Sequence, residues 1–389
     1  MAQCIVVVGA GIAGLASAVA LQRCGYEVTV IEERTDTSTG AGISIWPNAL
    51  AALDWLGVGD AVRDAGGRIT AGALRWRDGS WLRRPAPERL VKALGEPLVV
   101  VKRSVLRDIV AGVLRPGSVE TGLQAVGIAG SADGVRIELS DGTVRTARAA
   151  VGADGTRSMV ARHLNGPLTD RYAGYTAWRG VAGYAMDPEL AGETLGPGVE
   201  TGHVPMGPDH TYWFATERAA EGQQAQGGEL PYLRAKFADW PEPVPTMLAT
   251  TAESDVLRND LYDRTTARRW AGGPIVLVGD AAHPMRPHLG QGGCQALEDA
   301  AILGACVQRA TDLPGAFARF AEFRRPRVKP LVRESALIGR IVNLRPTLLS
   351  VAATRATVLV PESLLTRHLV SVAARSAFVL PADGDRRSR

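Results

Sequence analysis

Residues 4–33 read CIVVVGAGIAGLASAVALQRCGYEVTVIEE, and the order of residue types in this stretch decides the fold. Ile5 to Val8 is a short, fully apolar, β-branched run, the pattern of a buried parallel strand. Gly9 ends it. Ala13 to Cys24 has helical composition and stops beside Gly25, a natural C-cap. Val28 to Ile31 is a second buried strand, so the chain opens with a βαβ unit. The same stretch holds eighteen consecutive uncharged positions, Cys4 to Leu21, the minimum for a membrane span. Met1-Ala2-Gln3 supplies no positive charge for a signal peptide. Gly9, Gly11 and Gly14 also interrupt the run where a strand turns into a helix. No transmembrane segment is therefore expected, and a cytoplasmic location is.

Gly9-Ala10-Gly11-Ile12-Ala13-Gly14 is a G-x-G-x-x-G placed between strand and helix, the context a dinucleotide site requires. Gly9 permits the tight turn, Gly11 lets backbone approach a pyrophosphate, and Gly14 allows close helix–strand packing. The helix start offers free N–H groups and a positive dipole end. Gly9, Gly11, Ala13 and Gly14 are thus candidate cofactor contacts. Glu32 ends the second strand and can accept hydrogen bonds from ribose hydroxyls. It would repel a 2′-phosphate, so the adenosine should be unphosphorylated. The adjacent Glu33 is expected to be solvated.

The rest of the chain sets limits. Its 389 residues are 46% hydrophobic and 22% charged, ordinary globular usage. Glycine numbers 44, where average usage would give roughly 27. Net charge is +4, from 44 basic and 40 acidic residues. Arg319 to Arg345 alone contributes eight basic residues and two acids. The rest of the chain nets −2, so the chain is not broadly basic and a nucleic-acid surface is not expected. Phe317, Phe320 and Phe323 recur there at helical spacing, which predicts an amphipathic helix with a solvated cationic face. Cys4, Cys24, Cys294 and Cys306 lack metal-ligand or redox spacing, so reduced thiols and no metal site are expected.

The predicted architecture is α/β. Helices are expected at Pro47 to Leu56 and Arg103 to Leu114. Asp78-Gly79, Asp133-Gly134 and Asp141-Gly142 mark hairpin turns. Residues 166–267 are rich in Pro, Gly and aromatics and read as mainly strands, an inserted β-rich domain. A buried strand returns at Ile275 to Val278, followed by a glycine-rich turn and a helix from about Ala296. The remainder to Phe378 reads as helical, with breaks at Pro330, Pro346 and Pro361. The expected division is a discontinuous Rossmann-type domain (1–72, 98–165 and 268–335), a β-sheet-rich substrate domain (73–97 and 166–267), and a C-terminal helical segment and tail (336–389).

Three further motifs make the chain resemble the class A single-component flavoprotein monooxygenases, the salicylate hydroxylase-like aromatic hydroxylases with the para-hydroxybenzoate hydroxylase fold. Gly152-Ala153-Asp154-Gly155-Thr156-Arg157-Ser158 is similar to their DG motif. Gly279-Asp280-Ala281-Ala282-His283-Pro284 is similar to their GD motif. Pro287-His288-Leu289-Gly290-Gln291-Gly292-Gly293, then Glu298-Asp299-Ala300, resembles the flavin loop that follows. Arg103-Ser104-Val105-Leu106 resembles the family's R-x-x-L helix start, and Gly40-Ala41-Gly42-Ile43 with Pro47-Asn48 its loop beside the flavin ring. The resemblance implies FAD, held by Gly9, Gly11, Ala13, Gly14, Glu32, Gly42, Arg103, Asp154, Gly155, Asp280, Pro287, Gly290, Gly292 and Gly293. Asp280 would bind ribityl hydroxyls. A pyrophosphate near Arg103 would offset the unfavourable placing of a cation at a helix start. Asp154 either supports flavin and nicotinamide access or is only a structural turn residue. The backbone N–H groups of Gly290 to Gly293 would face the pyrimidine edge of the flavin, with Pro287 and Gly292 near the ring. His283 is expected to support the turn.

The resemblance further implies an enzyme that uses NADPH or NADH and O2 to hydroxylate or epoxidise an aromatic, polyketide-like or isoprenoid-like small molecule through a flavin C4a-hydroperoxide. NAD(P)H would visit transiently, since no second G-x-G-x-x-G occurs. No catalytic acid or base can be named, because the cofactor carries the chemistry. Candidate substrate contacts are Arg179, His203, Tyr212, Trp213 and His288. Tyr212, Trp213 and Phe214 lie on one expected strand, so Trp213 points to one face and its neighbours to the other, and either set would line the pocket. Arg286, His288 and Cys294 depart from the family pattern, which bears on substrate preference. The apolar stretches Leu348 to Leu359 and Leu364 to Leu380 are expected to cover the flavin domain. A monomer or homodimer is expected. The alternatives are an FAD-dependent reductase of the lipid-chain saturase type and a non-catalytic flavin-binding scaffold.

Overall fold

The computed structural model describes residues 4–35 and 41–382; Gly40 lies outside them. The opening unit is β1 (Cys4–Val8), α1 (Ile12–Arg23) and β2 (Glu27–Glu32). A six-stranded sheet is built around it, in the order Ala271–Gly272, Ile275–Leu277, Ala149–Gly152, β1, β2 and Val119–Thr121. All neighbours are parallel except the outer pair. Ile5, Val7, Val30, Ala149, Val151, Val276 and Leu277 are fully enclosed, which is why these strands carry unbroken apolar runs. Helix Gly292–Arg309 packs against α1. The antiparallel sheet of strands Ala125–Ser131, Gly134–Leu139 and Val144–Ala147 adds Val135, Ile137 and Leu139 to the same core.

A second, seven-stranded sheet runs in the order Leu257–Arg264, Asp170–Ala182, Thr211–Glu217, Val199–Pro205, Gly192–Gly196, Ala73–Trp76 and Trp81–Arg83. Trp178, Trp213 and Ala215 on one face pack with Leu230, Leu233, Phe237 and Met247 of the segment that holds helices Glu229–Lys236 and Val244–Ala249. Those helices were not expected within the β-rich region. On the other face, Tyr212 and Val204 meet Ile69 and Val100 of a small sheet formed by Gly42–Ile45, Leu98–Lys102 and Gly67–Ile69.

Four expectations about the C-terminal third are corrected. Pro330 does not break the chain: Pro326 and Pro330 lie inside one 30-residue helix, Leu313–Val342. Both rings sit on the exposed side, where the carbonyls that lose their helical partner face water. The same helix crosses the expected boundary at residue 335. Its cationic residues are also not all solvated, because Arg324 is fully buried. The apolar C-terminal stretches cover the core only in part. Val372, Ala373 and Ala374 pack with Leu94 and Leu331. Leu348 and Leu359 are 77% and 80% exposed. The chain bends by 98° between Thr347–Leu359 and Glu362–Ala373, at a break that holds Pro361. No single helix among the described residues is long and apolar enough to cross a membrane.

Candidate active site

The carboxyl ends of the parallel strands form the crevice where such sheets take ligands. Gly9 lies at φ +101° and packs so closely that a Cβ would stand 2.5 Å from the Ala153 carbonyl oxygen. A Cβ on Gly14 would stand 1.8 Å from the Gly9 oxygen. Gly11 has nothing within 4 Å of that position, so its side of the loop is open to a ligand. Ala13 packs on the other essential turn, its Cβ 2.8 Å from where a Gly279 Cβ would be. Glu32 accepts the Ala10 N–H at 2.7 Å and the Arg34 N–H at 3.0 Å, one on each oxygen. It thereby fixes the glycine loop and keeps a lone pair on each oxygen for hydroxyl donors.

Arg103 starts helix Arg103–Ala111 and its side chain is exposed. Its charge acts on both Asp280 and Tyr212, which places it between the glycine loop and the second sheet. Asp280 is exposed. Yet the surrounding protein pushes its carboxyl up, against the pull of His283, Arg103 and Arg264. A carboxyl that is both accessible and crowded lines a concavity. Beyond it, Pro287–Leu289 forms a single 3-10 turn and Gly290 takes φ +60°. A Cβ on Gly290 would lie 2.9 Å from Trp46 Nε1, and one on Gly293 2.7 Å from Ile43 Cδ1. Gly292 and Gly293 start an 18-residue helix with no side-chain cap, so its first N–H groups are available to an anionic edge. Free N–H groups, two carboxylates and a guanidinium along one crevice are the donor set an extended dinucleotide needs, and FAD fits it.

Asp154 accepts hydrogen bonds from Ser158 Oγ at 2.5 Å and from the N–H groups of Met159 and Val160 at 2.7 and 3.2 Å. Its oxygens serve the start of helix Met159–Asn165, which favours the turn-holding role over a ligand contact. Gly155 lies at φ +73° with open space beside it.

A buried polar network that was not expected from the sequence supports the flavin loop. Asp299 accepts the Gly279 N–H at 2.8 Å and contacts His283 Nε2 at 2.6 Å. Arg324 donates to Asp299 at 2.7 Å, Glu298 at 2.6 Å and Gln295 Oε1 at 2.8 Å. Glu298 also accepts from Asn48 at 2.6 Å, and Asn48 donates to Gln291 at 3.0 Å. Burial pushes the Glu298 and Asp299 carboxyls up, but Arg324, with Arg327 and His283, outweighs it and holds both below the usual range. The GD turn, the flavin loop and the long helix are thus one hydrogen-bonded unit, with His283 in the supporting position expected of it.

The second sheet supplies the facing wall. Its register places Arg179 opposite Phe214, Phe214 opposite Gly202, Tyr212 opposite Val204, and Glu200 opposite Leu195. Alternation puts Arg179, Tyr212, Phe214, Glu193 and Glu200 on one face. This face looks toward the glycine crevice, because a Cβ on Gly42 would lie 2.5 Å from Tyr212 Cγ. His288 reaches it from the flavin loop: Nε2 is 2.7 Å from Tyr175 Oη, and Nδ1 is 3.2 Å from Glu200 Oε1. Two candidates fall on the opposite face. His203 is 1% exposed and lies 3.4 Å from Arg75. Burial and the Arg75 charge lower its pKa to about 3. Trp213 donates to Thr251 Oγ1 at 2.9 Å inside the helix-covered core. Neither side chain is on the face that Tyr212 and Phe214 share. Glu193 and Glu200 were missed, because an acid within a strand reads as a solvent-face residue. A cavity lined by Arg148, His163 and Pro274 lies at the opposite, amino-terminal edge of the parallel strands, away from this site.

The family described as FAD binding domain matches residues 2–335. The chain is 37% identical over 340 residues to the Aurachin C monooxygenase/isomerase of Stigmatella aurantiaca, covering 87% of this chain and 89% of that one. It is 34% identical to the 3-amino-4-hydroxybenzoate 2-monooxygenase of Streptomyces cremeus, covering 87% and 88%. The chain belongs to the class A FAD-dependent monooxygenases. Among solved structures, Klebsiella pneumoniae HpxO complexed with FAD and uric acid superposes on this monooxygenase with a TM-score of 0.87 and 27% identity, over 95% of this chain and 96% of that one. The resemblance read from the motifs is therefore correct, as are the α/β fold, FAD and the enzyme class.

Proposed function

We propose that this monooxygenase hydroxylates or epoxidises an aromatic or similarly unsaturated small molecule held between the flavin loop and the second sheet, at the expense of NAD(P)H and O2. The observation that carries this reading is Tyr212, on the face it shares with Phe214 and Arg179, packed against Gly42, whose neighbour Ile43 packs on Gly293 of the flavin loop. Bound FAD supplies the oxygen activation and the hydride acceptance. The chain's own residues orient and exclude. Gly9, Gly11, Gly14, Glu32, Arg103 and Asp280 hold the dinucleotide, and the N–H groups at Gly292 and Gly293 stabilise negative charge at the ring edge. Phe214 and Tyr212 present apolar ring area to the substrate, and Arg179, 3.5 Å from Asn259 Oδ1, sits at its polar end. Segments 73–97 and 166–267 then serve as the substrate domain, and 1–72, 98–165 and 268–335 as the cofactor domain. The relatives act on an aurachin and an aminohydroxybenzoate, by their names, which supports a ring-bearing substrate.

The test is a screen of ring-bearing compounds for stimulated NAD(P)H oxidation with matching O2 uptake and a product one oxygen atom heavier. Hydride consumption with a reduced product and no oxygen incorporation would instead establish a reductase. A flavin that NAD(P)H never bleaches would establish a scaffold.

A further inference from the structure

Glu193 and Glu200 stand out within the substrate face. They lie on adjacent antiparallel strands, Gly192–Gly196 and Val199–Pro205, and project from the same side. Glu200 is 5% exposed, and its Oε1 lies 3.2 Å from His288 Nδ1. His288 is in turn held by Tyr175 and belongs to the flavin loop. This chain of contacts fixes Glu200 against the cofactor side of the crevice. Glu193 is half-buried and makes no hydrogen bond or ion pair among the described residues. Burial, with the nearby Glu200 charge adding to it, pushes its carboxyl up to about 8. The neighbouring cation does not neutralise the pair. Arg286 places Nε 2.8 Å from Asp263 and a second nitrogen 2.5 Å from it.

We propose that Glu193 and Glu200 are the specificity wall of the substrate crevice, selecting a ring whose edge presents neutral N–H or O–H donors and rejecting a ring whose edge carries a carboxylate. The proposal rests on the monooxygenase reading, because it names the substrate chemistry of that same site. Both acids can accept a hydrogen bond from a ligand donor. A ligand carboxylate would bring further negative charge against two acids that project from one face. Phe214 fills the space over Gly202, where a Cβ would stand 2.0 Å from its ring, so a flat partner has an aromatic surface directly next to the acids. Selection by unmatched charge is the stronger kind of discrimination available to a small crevice.

A matched pair of probes tests this: 3-amino-4-hydroxybenzoate and 2-aminophenol, which is the same ring without the carboxylate. Binding is read on the oxidised holoenzyme from the perturbed flavin absorption, with no NAD(P)H present. 2-Aminophenol should bind at least about tenfold more tightly. Glu193→Gln combined with Glu200→Gln should shrink that ratio at least roughly fivefold. If the double variant loses its flavin, Glu200→Gln alone, which keeps an oxygen for His288 Nδ1 and removes the charge beside Glu193, should shrink it by about half that factor. Equal or tighter binding of the carboxylate, a ratio untouched by both variants, or no perturbation by either probe would overturn the proposal. Failure of the monooxygenase reading is separate: it would show as absent O2 uptake while the binding ratio remains measurable.

Discussion

At the scale of single residues, Arg324 has the largest consequence. It is fully buried and holds two buried carboxylates that in turn hold the GD turn and the flavin loop. Arg324→Met should destabilise the protein by about 3–5 kcal/mol, because Glu298 and Asp299 would then share buried negative charge with too little compensation. Thermal unfolding of the apoprotein measures this apart from any effect of the cofactor. Asp280→Ala should strip FAD during gel filtration, and Glu32→Ala should weaken retention by ~1.5–3 kcal/mol, the worth of a charged hydrogen bond. An Asp280 variant that keeps its full flavin complement would refute the ribityl assignment. These residues differ in how they could be read beforehand. Glu32 and Asp280 sit at the ends of strands beside glycine turns, so local pattern locates them. Arg324 sits among six other cations on an amphipathic helix. Only partners some 25 residues away in sequence make it an interior residue.

At the scale of elements, strong local pattern and tertiary decision separate cleanly. The unbroken apolar strands and helix Pro47–Leu56 fall where periodicity puts them. Strand Gly42–Ile45 and helix Pro87–Leu94 do not announce themselves, since each is stabilised mainly by what it pairs with. The same holds for the C-terminal segment, whose docking is electrostatic as much as apolar. Arg375 bonds Asp54 at 2.7 Å and Glu96 at 2.8 Å, and Arg63 bonds the same two acids. Burial pushes both carboxyls up, but the hydrogen bonds from Arg63 and Arg375 outweigh it and hold them below their ordinary values of 3.8 and 4.5. A depressed carboxyl contributes stability above its unfolded pKa and loses it as pH falls through the folded one. Arg375→Ala should therefore lower the melting temperature at neutral pH, and the difference from the parent should fade as pH drops below about 4. A difference that is constant from neutral to acid pH would mean that packing of Val372 to Ala374, and not the ion pairs, holds the segment.

At the scale of the whole molecule, the crevice has three walls from distant parts of the chain: the glycine loops, the face of the second sheet, and the C-terminal segment that closes its far end. Arg355 lies 4.9 Å above the ring of Trp76, on the strand beside Glu193 and Leu195. Arg83, from the edge strand of the same sheet, donates to the carbonyls of Thr357 and Val360. These contacts pin the bend between the last two helices over the end of the substrate face. The reaction needs that end dry, because activated oxygen that meets water instead of substrate is lost as hydrogen peroxide. Arg83→Ala removes the pin without touching a glycine loop, Asp280 or the facing residues Tyr212 and Phe214. FAD content and reduction by NAD(P)H should then stay near the parent level, while peroxide released per NAD(P)H consumed rises roughly twofold or more with substrate present. If peroxide yield is unchanged, the segment is cladding for the helices and water is excluded by the sheet and flavin loop alone. If flavin is lost as well, the segment supports the cofactor domain, and its contact with the substrate sheet is secondary.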